Sequence, residues 1–277
     1  MMYLKIVRPL NVVFAVLSLA ITADILNLFS LNLTMVASAI VIASFTAGGN
    51  VLNDIIDLPI DRINRPGRPL VSGKIPVKVA AIYASTLFLL GAGFSFYLNY
   101  PARLLALAVI LPLLLLYTPI FKKIPLLGNV LIAAILAIVF IFSEVALTGI
   151  ADKMWFPAGL AFGLSLIREL VKDMEDIRGD TEVGVQTFPV RFGMAKSFYL
   201  LLLVTICLCL YALIPYFQLR FGYVYFGLLI VGVEIPLLLS LFWLSKKMTP
   251  LRCSTVSLIL KFSTLMGMIV IWSTALY

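Results

Sequence analysis

Long runs without charge are the feature that most constrains what this chain can fold into. Only 12% of its 277 residues are charged, whereas a soluble domain has about 25%. Each run is apolar on every face and long enough to cross a bilayer as a helix, which takes about 20 residues. We therefore predict an all-α integral membrane fold with nine transmembrane helices, at 9–30, 33–53, 77–98, 101–118, 126–148, 154–174, 194–216, 222–244 and 252–276.

The positions of the cations indicate how these helices are oriented. Of the 21 Lys and Arg residues, 17 lie at the N-terminus, in the even-numbered loops or at the bordering helix ends. Arg103, Lys153 and Arg220 lie on the opposite side, and Lys261 falls within the last run. Because cytoplasmic loops are enriched in Lys and Arg, the N-terminus is predicted to be cytoplasmic and the C-terminus outside the plasma membrane. The net charge of +8 is first a topology signal, and nothing suggests a nucleic-acid partner.

Two aspartate clusters follow the second and the sixth run. The first cluster is Asp54, Asp57 and Asp61, and the second is Asp173, Asp176 and Asp180. The second repeats the spacing of the first at a constant offset of 119 residues. Because four runs separate the two clusters, they predict two repeated four-helix halves, with the ninth helix left over.

The spacing within each cluster places three carboxylates on one helical face. We expect Pro59 and Gly179 to interrupt the two helices concerned. Converging carboxylates repel one another unless a cation lies among them, and Mg²⁺ is commonly held by a few carboxylates together with phosphate oxygens. One such cluster is equally well explained as a solvated helix end. Two clusters with the same spacing favour a site for more than one divalent ion.

Many cations surround these aspartates: Arg62, Arg65, Arg68, Lys74, Lys122, Lys123, Lys172 and Arg178. Metal-bound carboxylates combined with Arg and Lys can clamp phosphoryl oxygens and stabilise a leaving diphosphate. Because the surrounding helices are apolar, an allylic diphosphate fits, with an acceptor that captures the resulting carbocation. The ring of Tyr117 is one of several aromatic groups that could stabilise this cation, although ordinary packing explains each of them as well.

Ionisable residues within membrane helices are functional candidates by default. They are Asp24, Glu144, Glu234 and Lys261, with Arg168 and Glu169 nearer the second cluster. We expect Asp24 and Glu144, near the outer helix ends, to be hydrated. Arg168, together with Lys172, is predicted to reach the polar head of a substrate.

The two clusters also resemble the two signatures of a known family, the UbiA superfamily of intramembrane prenyltransferases. The first signature is matched by Asn53-Asp54-x-x-Asp57-x-x-x-Asp61-Arg62-x-Asn64-Arg65-Pro66-x-Arg68-Pro69, and the second by Lys172-Asp173-x-x-Asp176-x-x-Gly179-Asp180. The resemblance implies nine helices around a central cavity, with a cytoplasmic cap formed by the loops after helices 2 and 6. These loops are expected at about 53–77 and 173–195. It also implies two Mg²⁺ ions that bridge an isoprenyl diphosphate to both motifs.

The resemblance further implies roles for individual residues. The expected metal ligands are Asn53, Asp54, Asp57, Asp61, Asp173, Asp176 and Asp180, and the residues expected to face the diphosphate are Arg62, Arg68, Lys122 and Lys172. Tyr117 and Gly128-Asn129 also fall where the family has similar residues.

The acceptor is indicated by a narrower resemblance. The segment Arg8-Pro9-Leu10-Asn11 and the charged run from Arg168 to Asp176 are most similar to archaeal digeranylgeranylglyceryl phosphate synthases, which add a second geranylgeranyl chain to geranylgeranylglyceryl phosphate. A phosphate on the acceptor would account for the additional cations Arg8, Lys74 and Lys123, and Asn11 is grouped with them as a substrate contact.

Other functions stay open at this stage. An aromatic quinone precursor, a chlorophyllide or haem are alternative acceptors for the same reaction. A multi-pass transporter is the main alternative that is not an enzyme, although its charges would be expected near the midplane of the membrane. We expect one transmembrane domain over residues 1–277.

Overall fold

The computed structural model describes residues 2–218 and 221–276, and over these residues it contains helices and no strand. Arg220, which contributed to the predicted orientation, lies outside the described residues. The helices are α1 Met2–Ile6, α2 Pro9–Ile25, α3 Leu33–Ile56, α4 Leu58–Asn64, α5 Val77–Ser95, α6 Tyr100–Tyr117, α7 Leu127–Thr148, α8 Trp155–Val183, α9 Phe188–Gln218, α10 Tyr223–Lys246 and α11 Pro250–Ser273. The nine predicted runs correspond in order to α2, α3 and α5 to α11.

Within the part of the chain that the structure describes, seven helices are long and apolar enough to cross a membrane: α3, α5, α6, α7, α9, α10 and α11, the last together with the short turn that follows it. Helix α2 has only 17 residues, and α8 becomes strongly charged from Arg168 onward. The predicted all-α, multi-pass membrane architecture is therefore confirmed, while the count of nine crossings stays a prediction.

The long helices run back and forth between two ends of the molecule. At one end, which we call the aspartate end, Arg8 before α2 pairs with Asp54 near the end of α3. At the opposite end, the side chain of Asn99 before α6 donates to the carbonyl oxygen of Val145 near the end of α7, at 2.8 Å. Helix α3 packs against α2, α5 and α7, and α8 packs against α7, α9 and α11. The two helices that carry the aspartates thus lie inside the bundle.

The first predicted interruption is present. Helix α3 ends at Ile56 and α4 begins at Leu58, so Asp57 lies at the break. Pro59 occupies the first turn of α4. Backbone N–H groups in a first turn have no acceptor within the helix, so a proline there removes no helical hydrogen bond.

The second predicted interruption is absent, and that expectation was wrong. Helix α8 continues through Gly179 to Val183 and ends before Gly184. A glycine inside a helix costs only about 1 kcal/mol relative to alanine, which tertiary packing can offset. The segment expected to be a second long loop is therefore mostly helical. Residues 184–187 separate α8 from α9, and α9 is itself broken at Gly193, where φ is 85° and ψ is 163°.

A wide turn in α6 and one in α10 give the two halves of the chain a further similarity. Each is a π-helical segment, Leu105–Ile110 in α6 and Ile230–Glu234 in α10, and each is followed two residues later by proline, Pro112 or Pro236. A proline removes one helical hydrogen bond and crowds the carbonyl one turn earlier, and a π-turn accommodates this. Helices α6 and α10 are the fourth long helices of the two expected halves, so the similarity agrees with the predicted duplication.

Glu144, at the opposite end, was expected to be hydrated, but it is buried. Its side chain is 2% exposed, and its carboxylate accepts the backbone N–H groups of Asp152, Lys153 and Met154 at 3.0, 2.8 and 3.0 Å. These donors lie just before α8, so Glu144 caps the start of that helix. Asp24 is exposed, as expected, and accepts a hydrogen bond from Trp272 Nε1 at 2.6 Å.

Candidate active site

The first aspartate cluster is buried where α3 gives way to α4. Asp54 lies near the end of α3, Asp57 at the break, and Asp61 in α4, with exposed fractions of 5%, 8% and 2%. Because a buried carboxylate is costly unless it is paired with a cation or hydrogen-bond donors, the partners of these groups decide what the site can do.

Two arginines hold the outer carboxylates of this cluster. Arg68 Nη1 donates to Asp61 Oδ2 and also to Asp54 Oδ1, the latter at 3.1 Å. Arg8, from the turn before α2, donates to the same oxygen of Asp54. Arg68 follows the cluster closely in sequence, whereas Arg8 lies 46 residues before Asp54, so the tertiary structure brings Arg8 to the cluster.

Lys122 lies between the two clusters. Its Nζ donates to Asp57 Oδ2 at 2.5 Å, and Asp173 and Asp180 are close enough to act on its charge. Burial opposes the charged form, but Asp57 outweighs it and raises the pKa of Lys122 above its ordinary value. The loop that carries Lys122 approaches α7 at Gly128, where an added Cβ would lie 2.9 Å from Lys122 Cα.

The second cluster lies along one face of α8. Each carboxylate there has a different partner: Asp173 accepts from Asn129 Nδ2 at 2.8 Å, Asp176 pairs with Arg65 Nη2 at 2.9 Å, and Asp180 accepts from Thr187 Oγ1 at 3.1 Å. These partners come from α7, from the end of α4 and from the α8–α9 connection. The uninterrupted helix keeps the three carboxylates in register.

The end of α4 joins the two clusters directly. Arg65 contacts both clusters, at 3.7 Å from Asp61 and 2.9 Å from Asp176, and it also lies 3.6 Å from Glu175. The amide of Asn64 donates to the backbone carbonyl of Asp176 at 3.2 Å and to its carboxylate at 3.3 Å. The two repeated elements therefore contact each other through Asn64 and Arg65.

This contact requires Gly179. A Cβ at that position would lie 2.4 Å from Asn64 Nδ2. We expect Gly179→Ala to displace Asn64 and lower product formation about tenfold, because small shifts of reacting groups cost roughly this much or more. Gly93→Ala is the matched control, since Gly93 is helical and has open space around it. Equal rates for the two variants in a product assay would show that the α4–α8 contact is dispensable.

The carboxylates in the two clusters are crowded. Burial raises the pKa of Asp61 above its ordinary value, and Asp57 adds to this against the opposing effect of Arg68. Burial also raises the pKa of Asp180 to about 6, with Lys122 opposing and nearby Asp57 contributing. An additional cation between the clusters would relieve this repulsion.

The donor set fits a hard divalent ion. Aspartate and asparagine oxygens are the ligands Mg²⁺ prefers, and the set contains no sulfur or imidazole. Among the residues that the structure describes, no three acidic or other metal-binding side chains are arranged to hold an ion as they stand, because Arg8, Arg68, Lys122 and Arg65 each occupy a carboxylate. Lys122 already acts as a cation between the two clusters, which is the electrostatic role a bound metal would have.

Several predicted site residues lie elsewhere. Arg62, Lys74 and Lys123 are exposed, and within residues 2–218 and 221–276 none of them forms an ion pair with a carboxylate. Arg62 is the clearest difference, because the resemblance placed it beside the diphosphate. Asn53 does lie at the site, where its side-chain oxygen accepts from Thr118 Oγ1.

A large cavity adjoins the aspartate end and contains about 1770 Å³ of space free of atoms, part of it open to the surroundings. Eight long helices line it, all except α5. Asn11, Asn53, Tyr117 and Arg168 line its polar portion, whereas the remaining wall is mostly aliphatic and aromatic. The predicted central cavity is therefore present, and it brings an apolar chamber next to the charged clusters.

A smaller charged group projects from α8 at the cavity wall. Glu169 accepts from Lys172 at 2.7 Å and from Arg168 at 3.1 Å. Two cations thus share one carboxylate. This leaves a net positive charge beside the cavity, consistent with the expected role of Arg168 and Lys172 at a substrate head group.

From the sequence, no role at the site was assigned to some residues that contact the clusters. They are Asn64, Thr118, Asn129, Glu175 and Thr187. Three of them, Asn64, Asn129 and Thr187, lie within or beside the segments used for the family resemblance, so a signal was present. Thr118 has no such signal, because its role depends on how α6 meets α3.

This chain is similar in sequence to a family of known proteins. The model of the UbiA prenyltransferase family matches residues 11–269. The chain is 38% identical over 232 residues to digeranylgeranylglyceryl phosphate synthase from Methanospirillum hungatei, covering 83% of this chain and 81% of that protein. The corresponding protein from Saccharolobus solfataricus is 33% identical over 272 residues, covering 96% and 94%.

Solved structures of related proteins have the same fold. A structure of digeranylgeranylglyceryl phosphate synthase in membranes superposes with a TM-score of 0.73 and 30% identity, covering 99% of this chain and 97% of that one. A UbiA homolog from Archaeoglobus fulgidus, bound to DMAPP and Mg²⁺, has a TM-score of 0.68 at 19% identity, covering 98% and 99%. With the matching family model and relatives above 30% identity over most of their length, this chain belongs to the UbiA prenyltransferase family.

Proposed function

We propose that this protein is a Mg²⁺-dependent intramembrane prenyltransferase that transfers a geranylgeranyl group from its diphosphate to geranylgeranylglyceryl phosphate. The observation that carries the proposal is the meeting of the two aspartate clusters around Lys122, beside a large apolar cavity. The choice of acceptor is supported by relatives described as digeranylgeranylglyceryl phosphate synthases, which this chain matches over more than 80% of their length.

The proposed metal ligands are drawn from Asn53 and the aspartates Asp54, Asp57, Asp61, Asp173, Asp176 and Asp180. The relative from Archaeoglobus fulgidus that binds DMAPP and Mg²⁺ supports a divalent ion. We take the number of ions to be two, held by residues drawn from both clusters. Bound Mg²⁺ would neutralise charge that develops on the leaving diphosphate.

The protein's own cations would orient the diphosphate. Lys122, Arg68 and Arg65 already lie among the carboxylates. If the carboxylates held metal instead, these cations would be available to phosphoryl oxygens. Arg and Lys held in a water-poor site stabilise a leaving anion strongly, because they are preorganised where its charge appears.

The reaction needs no strong base. The allylic C–O bond breaks and its electron pair leaves with the diphosphate, which gives a delocalised carbocation. The acceptor hydroxyl oxygen then forms the new C–O bond, and its proton passes to the released diphosphate. Tyr117, buried at the cavity wall between the two regions, offers a ring face to the cation.

The acceptor alternatives differ in charge. Arg168 and Lys172 carry two positive charges, but they share the single negative charge of Glu169. Neither of the two cations is one of the cluster aspartates' partners. A phosphate on the acceptor, which carries more negative charge than the single carboxylate of an aromatic hydroxy acid, fits this surplus better. A transporter is disfavoured because the paired carboxylates lie at one end of the bundle and not at its middle.

The proposed membrane topology places the aspartate end in the cytoplasm. We take all nine long helices to cross the plasma membrane as one domain, including α2 and α8, with the N-terminus and the aspartate end cytoplasmic and the C-terminus outside. The excess of cations at the aspartate end supports this orientation. The segment around α4 and the end of α8 would form the cytoplasmic cap.

A product assay tests the proposal. Purified protein in lipid nanodiscs is incubated with Mg²⁺, labelled geranylgeranyl diphosphate and either geranylgeranylglyceryl phosphate or an aromatic hydroxy acid. We expect diphosphate release and a doubly prenylated glycerophosphate with the first acceptor only. EDTA should abolish turnover, and added Mg²⁺ should restore it. If the diphosphate stayed intact with every acceptor, the proposed prenyltransferase activity would be refuted. Prenylation of the aromatic acid alone would refute the assigned acceptor.

A further inference from the structure

One cation on the cavity wall has no role in the site described so far. Lys261 lies in the middle of α11, and its helix face lines the cavity together with Thr264 and Met268. Within the described residues, its ammonium group has no hydrogen bond and no ion pair. A lysine inside a membrane helix is costly unless it meets an anion, water or a polar ligand.

Lys261 is close to other cations. Arg168 lines the same cavity as Lys261, and the charges of Arg168 and Arg8 both disfavour the charged form of Lys261. Arg168 donates to Glu169 through Nη1, but its Nε is buried without a partner in the described part of the chain. Two positive groups, Lys261 and Arg168, therefore line the same cavity. The carboxylate of Glu169 does not balance them, because Arg168 shares it with Lys172. Such an arrangement is stable when an anionic ligand joins it.

Arg8 connects this region with the aspartate clusters. It pairs with Asp54 of the first cluster and also acts on Lys261. An anion bound between Lys261 and Arg168 would thus lie next to the diphosphate site, on its cavity side. A glycerol phosphate has its anionic group and its reactive hydroxyl only a few atoms apart, so it could place one at each of two adjoining subsites.

We propose that Lys261 and the free Nε edge of Arg168 bind the phosphate of the acceptor lipid, at a subsite separate from the metal-bound diphosphate. This inference rests on the proposed function, because it assumes an acceptor that carries a phosphate. The phosphate would hold the acceptor hydroxyl toward the allylic carbon, while the acceptor's own prenyl chain lies in the apolar cavity. Lys261 is then the residue that selects a phosphorylated acceptor over a neutral one.

The test compares Lys261→Met with Lys261→Arg. Methionine keeps the length and apolar stem of lysine but removes the charge, so this variant should fold at least as well as the wild type. We expect it to raise the KM for geranylgeranylglyceryl phosphate roughly 10- to 100-fold, since a charged hydrogen bond is lost. The KM for geranylgeranyl diphosphate should change less than about twofold. Lys261→Arg should restore most of the acceptor affinity.

Two controls make the result specific. Lys247→Met removes an exposed lysine from the end of α10, outside the cavity lining, and should leave both KM values unchanged. Geranylgeranylglycerol, which lacks the phosphate, should be used as poorly by Lys261→Met as by the wild type.

The outcomes separate this inference from the proposed function. An unchanged acceptor KM in Lys261→Met, with normal prenylation by the wild type, overturns the subsite and leaves the function intact. Failure of the wild type to prenylate the phosphorylated acceptor overturns the function itself. A dialkylglycerol phosphate without a free hydroxyl should compete with the acceptor in the wild type and far less in Lys261→Met. Equal competition in both proteins would assign the cations to general contact with lipid phosphates and reject the acceptor subsite.

Discussion

Asp57→Asn and Asp176→Asn are each expected to lower kcat by about 100-fold or more while the protein stays folded, because several kcal/mol of metal-derived charge stabilisation is lost. Asparagine preserves the shape of the side chain and removes the charge that a divalent ion requires. One substitution falls in each cluster, so comparable losses would show that both copies of the repeated element act together. The measurement is single-turnover product formation over a range of Mg²⁺ concentrations.

The two variants should lose catalysis more than substrate binding. Asp57 pairs with Lys122, and Asp176 pairs with Arg65, so either change leaves a cation free to hold the diphosphate. Asp152→Asn is the control, because Asp152 is exposed at the opposite end of the bundle. Near-normal kcat in either cluster variant would remove that carboxylate from the proposed metal site.

Glu144→Ala is expected to destabilise the protein by about 3 kcal/mol or more, because it leaves three backbone donors before α8 without their acceptor. All three hydrogen bonds are 3.0 Å or shorter, and the carboxylate is buried. Glu144→Gln should have an intermediate effect, since it keeps one acceptor oxygen but loses the charge. The apparent Tm in detergent, read with a thiol-reactive or intrinsic fluorescence probe, measures the change.

Asp24→Ala is the matched control for this effect. Asp24 also lies at the opposite end, but it is exposed and accepts a single hydrogen bond, from Trp272. Its loss should cost no more than about 1 kcal/mol. Equal changes in Tm for Asp24→Ala and Glu144→Ala would mean that the cap of α8 contributes little to stability.

The membrane fold and the reaction type could be predicted from the sequence. Uncharged runs of the length needed to span a bilayer specify helices, because backbone groups in lipid must be satisfied within each segment. The two spaced aspartate sets indicated a divalent-metal site, since three carboxylates on one face need a cation. The structure agrees that the elements around Asp57 and Asp176 meet, and Arg65 contacts both copies.

Local patterns were less reliable where tertiary contacts decide the outcome. Gly179 was expected to end a helix, but packing against Asn64 favours an uninterrupted α8. Glu144 was expected to be hydrated from its position near a helix end, whereas the chain before α8 folds over it. Arg62, inside the first signature, turns to the outside because α4 presents its opposite face to α8.

The sequence by itself determined that this chain is helical, spans a membrane several times and carries a duplicated set of aspartates, because these properties follow from composition and spacing along one segment. Only the tertiary structure decided which cations reach the carboxylates and which side chains line the cavity. The sequence could not show which partner each of Lys122, Arg8 and Lys261 has. Their different surroundings, with Lys122 against Asp57 and Lys261 unpaired at the cavity wall among the described residues, arise because helices distant along the chain pack side by side.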